Sequence, residues 1–113
     1  MWLSRLLEAE GNTVDALTDG AAAFQRVWDE EYDVIVSEVG TPGIDGRDLY
    51  MAFQNTWPEL TDRMVFVCGE STPEVREFVT RTAVPCLLAP VSRVALRDAV
   101  RAVRAVPARR ALV

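Results

Sequence analysis

The stretch Asp33-Val34-Ile35-Val36-Ser37 is a continuous apolar run that ends on an acidic residue, Glu38. A run of this kind reads as a strand covered on both faces. Thr41-Pro42-Gly43 follows, with Pro presetting one central turn position and Gly tolerating positive φ at the next. Asp45-Gly46 then opens a helical segment. A strand buried from both sides needs a covering layer on each face of its sheet, and the helix that follows is the first candidate for one.

The rest of the sequence repeats the same alternation. Trp2 to Glu10 carries a helical stripe at positions 2, 3, 6 and 7, and Gly11 stands where a C-terminal cap belongs. Asn12 to Leu17 reads as a short strand. Ala21 to Glu30 reads as a helix burying Ala22, Phe24, Val27 and Trp28. Arg47 to Thr56 supplies a helix with Leu49, Tyr50 and Phe53 inward, and Arg63 to Cys68 is a second buried strand. Thr72-Pro73 caps and opens a helix carrying Val75, Phe78 and Val79. Val84 to Leu88 is a further strand. Ser92 caps a last helix to about Val106, where Pro107 discourages continuation. Helix and strand alternate throughout, which predicts a parallel sheet between two helix layers. Five helices face only four clear strands, so one strand is unaccounted for.

With 113 residues the chain is one small domain. Its net charge of -5 argues against nucleic acid as a partner, because phosphate binding needs a positive footprint. No apolar run is long enough to cross a bilayer and no secretory signal is visible, so a cytoplasmic chain with no membrane partner is expected. The chain contains no His, which removes imidazole catalysis and the commonest metal ligand. It also contains no Lys: all 12 basic residues are Arg. Any mechanism that depends on a lysine ammonium is thereby excluded.

The run from Tyr32 to Gly46 resembles the phosphoacceptor strand and loop of bacterial response-regulator receiver domains. Leu6 to Val14 is similar to the first helix and second strand of that family, and Asp19-Gly20 to the start of its second helix. Arg63 to Gly69 is similar to its fourth strand. Pro85-Cys86-Leu87-Leu88-Ala89-Pro90 is similar to its fifth strand and lysine-proline corner. The wording is nearest to receivers attached to hybrid sensor kinases. The resemblance implies a flavodoxin-like, doubly wound parallel sheet and a place in two-component phosphorelay signalling.

It also implies a set of working groups, and this chain departs from each. A receiver binds Mg²⁺ through an acidic pair after its first strand together with an acceptor Asp, which attacks phosphorus. A lysine ammonium and a strand-four hydroxyl stabilise the transferring group, and a strand-five aromatic turns inward to report the event. Here the acceptor position holds Glu38, one methylene longer, and a displacement of that order is costly. The lysine position is Ala89, the hydroxyl position Cys68 and the aromatic position Cys86. The expectation is a non-enzymatic pseudo-receiver that binds no metal or cofactor and works by protein contact. Its partner would be a sensor kinase, an output domain or a second copy. A divergent phosphoacceptor receiver using Glu38 is the alternative. Glu38 itself is either a fixed acidic mimic or a solvated remnant.

Cys68 and Cys86 fall on neighbouring strands, which invites a disulfide or a redox sensor, but their levels differ and strain the Cα separation a disulfide accepts, so reduced thiols acting as small hydrophobes are the expectation. Arg93, Arg97, Arg101 and Arg104 form a basic stripe on the last helix, either a solvated face or a dock for an acidic partner.

The receiver resemblance places a first strand in the middle of the sheet, and no segment ahead of Trp2 supplies it. Residues 1–106 are read as the receiver-like domain and 107–113 as a tail. Pro107-Ala108-Arg109-Arg110-Ala111-Leu112-Val113 has the wording that usually opens a receiver. Three readings stay open: a relocated first strand in its own domain, the same strand exchanged into a homodimer partner, or a frayed end.

Overall fold

The computed structural model describes residues 2–17, 20–39, 46–69, 72–103 and 110–113. The elements run α1 (Trp2–Ala9), β1 (Thr13–Asp15), α2 (Gly20–Asp29), β2 (Val34–Val39), α3 (Gly46–Thr56), a 3-10 turn (Pro58–Arg63) and β3 (Met64–Cys68). They continue with α4 (Pro73–Thr82), β4 (Cys86–Leu88), α5 (Arg93–Val103) and β5 (Arg110–Leu112).

The caps form where the sequence placed them. Gly11 takes φ +89 beyond α1, with its N–H donating to the Glu8 carbonyl at 3.0 Å. The Thr72 hydroxyl accepts from the Val75 N–H at 3.2 Å, and the Ser92 hydroxyl accepts from Ala95 N–H at 3.0 Å.

The five strands are all parallel and lie in the order β1-β5-β2-β3-β4. The strand the sequence left unaccounted for is β5, the last element of the chain, inserted between β1 and β2. Thr13, Val14 and Asp15 pair with Arg110, Ala111 and Leu112 on one side, and Val34 and Ile35 pair with Ala111 and Leu112 on the other. Val113 extends the ladder, donating to the Asp15 carbonyl at 3.0 Å and accepting from the Leu17 N–H at 2.8 Å. The frayed-end reading is therefore corrected for residues 110–113: a strand hydrogen-bonded on both sides has no orphan backbone to fray. Exchange into a second chain finds no support, since both edges of β5 are satisfied within its own chain.

Side-chain alternation sorts the core into two layers. Ile35, Val39, Met64, Phe66, Cys68 and Leu112 pack under α2, α3 and α4. Val34, Val36, Val65, Val67 and Ala111 pack under α1 and α5. β5 thus contributes one fully buried side chain to each layer, Leu112 and Ala111. The doubly wound arrangement is the one the alternating pattern predicts.

One helix face is corrected. Trp28 is 66% exposed and Ala22 is exposed, whereas Ala23 is buried. The buried line of α2 runs through Ala23, Phe24 and Val27, which leaves Trp28 at the margin. There it lies 5.1 Å from the Trp57 ring, and Trp57 in turn stacks on Phe24 at 5.3 Å. The aromatic contact, not burial, accounts for its position.

Candidate functional site

Parallel strands with helices on both faces gather their functional side chains at the strands' C-terminal ends. In this chain those ends bring together Glu38 on β2, Cys68 on β3 and Leu88 on β4. Glu38 pairs in register with Val67, Val39 with Cys68, and Cys68 with Leu88. Glu38 is half-buried and shares the side-chain parity of Val34 and Val36. Residues 40–45, which hold the Pro-Gly turn singled out above, lie outside the described residues.

Helix α3 is set hard against this end of the sheet. Gly46 is buried, and a Cβ there would stand 2.9 Å from the Glu38 carbonyl oxygen and 2.9 Å from Ser37 Cβ. Only glycine permits that approach. Ser37 is itself buried beside it. The residue after the turn therefore fixes how closely the helix start meets the acidic strand tip.

On the other side of β3, Ala89 follows β4 and donates its N–H to the Cys68 carbonyl at 2.9 Å. Ala89, the residue the family resemblance expects to be lysine, brings only a methyl group to this place beside Cys68. Glu38 belongs to no metal-holding set: no group of three or more His, Cys, Asp or Glu side chains among the described residues is arranged to hold a metal ion.

Cys68 and Cys86 are joined in a disulfide, which corrects the expectation of two free thiols. The strand levels do differ as expected: Cys86 pairs with Phe66, two residues before Cys68. The offset of two keeps both side chains on the same face, and the Cα atoms are 6.8 Å apart, still within disulfide reach. The sequence carried half of this signal. Two cysteines on adjacent strands were visible; a register that gives them equal parity was not.

Arg93, Arg97 and Arg101 of the arginine stripe all lie on α5. Arg93, Arg97 and Arg101 line a cleft between α5 and α1, together with Glu10 and Asn12. Arg93 Nε donates to Glu10 Oε1 at 3.1 Å, and Arg97 Nε meets Asp98 Oδ1 at 3.4 Å. Arg104 lies outside the described residues. Arg101 is exposed. The stripe thus partly serves the α1–α5 seam. Asn12 closes the same seam from below, its side-chain amide donating to the Leu7 carbonyl at 2.9 Å.

A second polar contact was not anticipated. Tyr32, buried at the entry to β2, donates its hydroxyl to Asp15 Oδ2 at 2.6 Å. It ties β1 to β2 across the intervening β5. Arg26 approaches the same oxygen at 3.8 Å. Neither residue stands out in the sequence, because the contact depends on which strand lies between them.

Comparison with known proteins agrees with this architecture. Residues 1–101 match the family described as the response regulator receiver domain. A 47-residue stretch is 48% identical to the transcriptional regulatory protein TcrA of Mycobacterium tuberculosis, covering 42% of this chain and 19% of that protein. The chain thus spans about a fifth of the curated relatives it matches. Among solved structures, the receiver domain of a signal transduction histidine kinase from Syntrophus aciditrophicus superposes with a TM-score of 0.76 at 21% identity, covering 90% of this chain and 78% of that one. The chemotaxis protein CheY4 of Vibrio cholerae gives 0.74 at 22% identity, covering 90% of this chain and 86% of that one. A CheY-like receiver domain from Methanospirillum hungatei gives 0.73 at 17% identity, covering 87% and 78%. No helix among the described residues is long and apolar enough to cross a membrane. The flavodoxin-like sheet, the helix layers and the family match together place this chain in the response regulator receiver domain family of two-component signalling.

Proposed function

We propose that this receiver domain is a pseudo-receiver: it acts by binding another protein and does not take up a phosphoryl group. The observation that carries the reading is Ala89 at the corner beside Cys68, in a chain with no lysine at all. Phosphoryl transfer depends on cations that neutralise charge on the transferring group. Here neither an ammonium nor a metal-holding carboxylate cluster among the described residues supports such a step. Glu38 adds a longer reach at the acceptor position, and Cys68 is a weak hydrogen-bond partner where a hydroxyl belongs. No turnover is expected. The partner is a sensor kinase or an output domain, and the reading assigns the domain no nucleic-acid contact of its own.

The strand Arg110–Leu112 is, in this reading, the family's first strand supplied from the other end of the domain. Its parallel pairing between β1 and β2 supports that assignment. Self-assembly by strand exchange is correspondingly the weaker alternative.

The test is incubation of the intact chain with Mg²⁺ and acetyl phosphate, followed by intact-mass measurement. An unchanged mass is expected. A gain of one phosphoryl group that maps to Glu38 would overturn the proposal in favour of a divergent acceptor.

A further inference from the structure

We propose that Cys68 and Cys86 form a reversible thiol–disulfide pair, responsive to small thiols and disulfides, whose state sets how firmly β4 and α4 are held to the sheet. The proposal concerns the input that the domain receives. It stands whether or not Glu38 accepts a phosphoryl group.

The pair joins a strand paired on both sides to one at an edge of the sheet. β3 is buried along its whole length and has neighbours on both sides. β4 is one edge of the sheet, three residues long and, among the described strands, paired with β3 alone. Edge strands this short have little else to fasten them. Cys86 is the first residue of β4 and Cys68 the last of β3, so the link runs diagonally across the two strands. It lies in the layer that also holds Val75 and Phe78 of α4. Whatever changes between the sulfurs is therefore felt by that helix as well as by the strand.

The surroundings suit a bond that opens and recloses. The Phe66 N–H donates to the Pro85 carbonyl at 2.8 Å and the Ala89 N–H to the Cys68 carbonyl at 2.9 Å. These backbone bonds flank the link on both sides and keep the two thiols near each other after it breaks. Access is unequal: Cys68 is 2% exposed, whereas Cys86 is only half-buried. An incoming thiolate meets Cys86 first.

The exchange follows from that asymmetry. The small thiolate attacks Sγ of Cys86, the bond to Cys68 Sγ breaks, and Cys68 leaves as a thiolate that takes up a proton. A second small thiol then attacks the mixed disulfide, which frees Cys86 as a thiol and releases the oxidised small disulfide. The two small thiols supply both electrons. In the reverse direction a small disulfide is the oxidant and leaves as two thiols.

Reduction thus removes the covalent fastening of β4 while its three ladder pairs remain. Leu88, 63% exposed at the outer end of β4, is carried on the loosened segment, beside the start of α5. The resemblance to receiver domains implies that they report phosphorylation through this strand. Here the same strand would report oxidation.

The experiment uses the intact chain equilibrated in glutathione buffers of graded reduced-to-oxidised ratio, approached from both directions. Samples are quenched in acid, alkylated with N-ethylmaleimide and weighed, and hydrogen exchange is read on matched samples. The expected result is a reversible change from no alkyl groups to two as the buffer becomes reducing. Amides of β4 and α4 should then exchange roughly tenfold faster, with those of β2 and β5 unmoved. Cys86→Ser should exchange like the reduced chain in every buffer. Two alkyl groups at every ratio would show that the bond does not form, and none at every ratio that it is an inert fastening. A mass change without faster exchange would remove the coupling to β4 and α4. Each of these three results overturns the proposal, and all are readable on the unmutated chain.

Discussion

Gly46 lies directly behind the carbonyl of Glu38, so closely that a methyl group on it would stand 2.9 Å from that oxygen. The atoms in the way are backbone and a strand Cβ, which cannot swing aside. Gly46→Ala should therefore cost about 1–3 kcal/mol, as overpacking does in a filled interior. Urea denaturation followed by far-UV circular dichroism measures it. A loss below a few tenths would mean that α3 slides on β2 at little cost.

Leu112→Ala should be among the most damaging single truncations, at about 2–5 kcal/mol. Leu112 is 2% exposed and joins the layer beneath α2, α3 and α4, so the cavity opens in the middle of the sheet. The same urea titration checks it. A near-neutral result would show that β5 contributes little to closing the sheet.

Tyr32→Phe removes the 2.6 Å bond to Asp15 and should cost about 1–2 kcal/mol. Arg26→Ala, which removes only the 3.8 Å ion pair at the surface, should cost well under 1 kcal/mol. Parallel thermal melts of the two variants separate these contributions. Equal losses would place the weight on the ion pair instead.

Glu38→Asp restores the acceptor that the family uses, yet it should not restore phosphorylation. In the pseudo-receiver reading the shorter carboxylate still finds no lysine in the chain and no metal-holding cluster among the described residues. Intact-mass measurement after acetyl phosphate treatment should show no adduct. An adduct on this variant would mean that side-chain length alone had silenced the domain.

The sequence was legible wherever one residue type forces one local outcome. Gly11, Thr72-Pro73 and Ser92 fixed helix ends, and the unbroken apolar runs at β2 and β3 marked strands buried on both faces. It was less legible where the answer depends on neighbours across the sheet. Whether Cys68 and Cys86 can bond turns on a register offset of two, and Asp15 meets Tyr32 only because β5 spaces their strands. Trp28 was misplaced for a related reason. Its helical spacing fits an inward face, but α2 turns that face towards Ala23, and Trp57 offers a tilted ring contact at the rim. The stripe of arginines was visible, whereas its seat over α1 needed the packing of two helices far apart in the chain.

The position of β5 also sets an order of events during synthesis. A growing polypeptide can pair β2 with β3 and β3 with β4 as each emerges, and can lay α1 against β1. The backbone ladder between those two parts is not complete until Arg110–Leu112 has left the ribosome, because among the described strands β5 is the one paired with both. Until then β1 and β2 each present an open edge, the kind of surface on which nascent chains aggregate. Of the five described strands, the one that bridges β1 to the rest is the last to be made, so this sheet is closed from within.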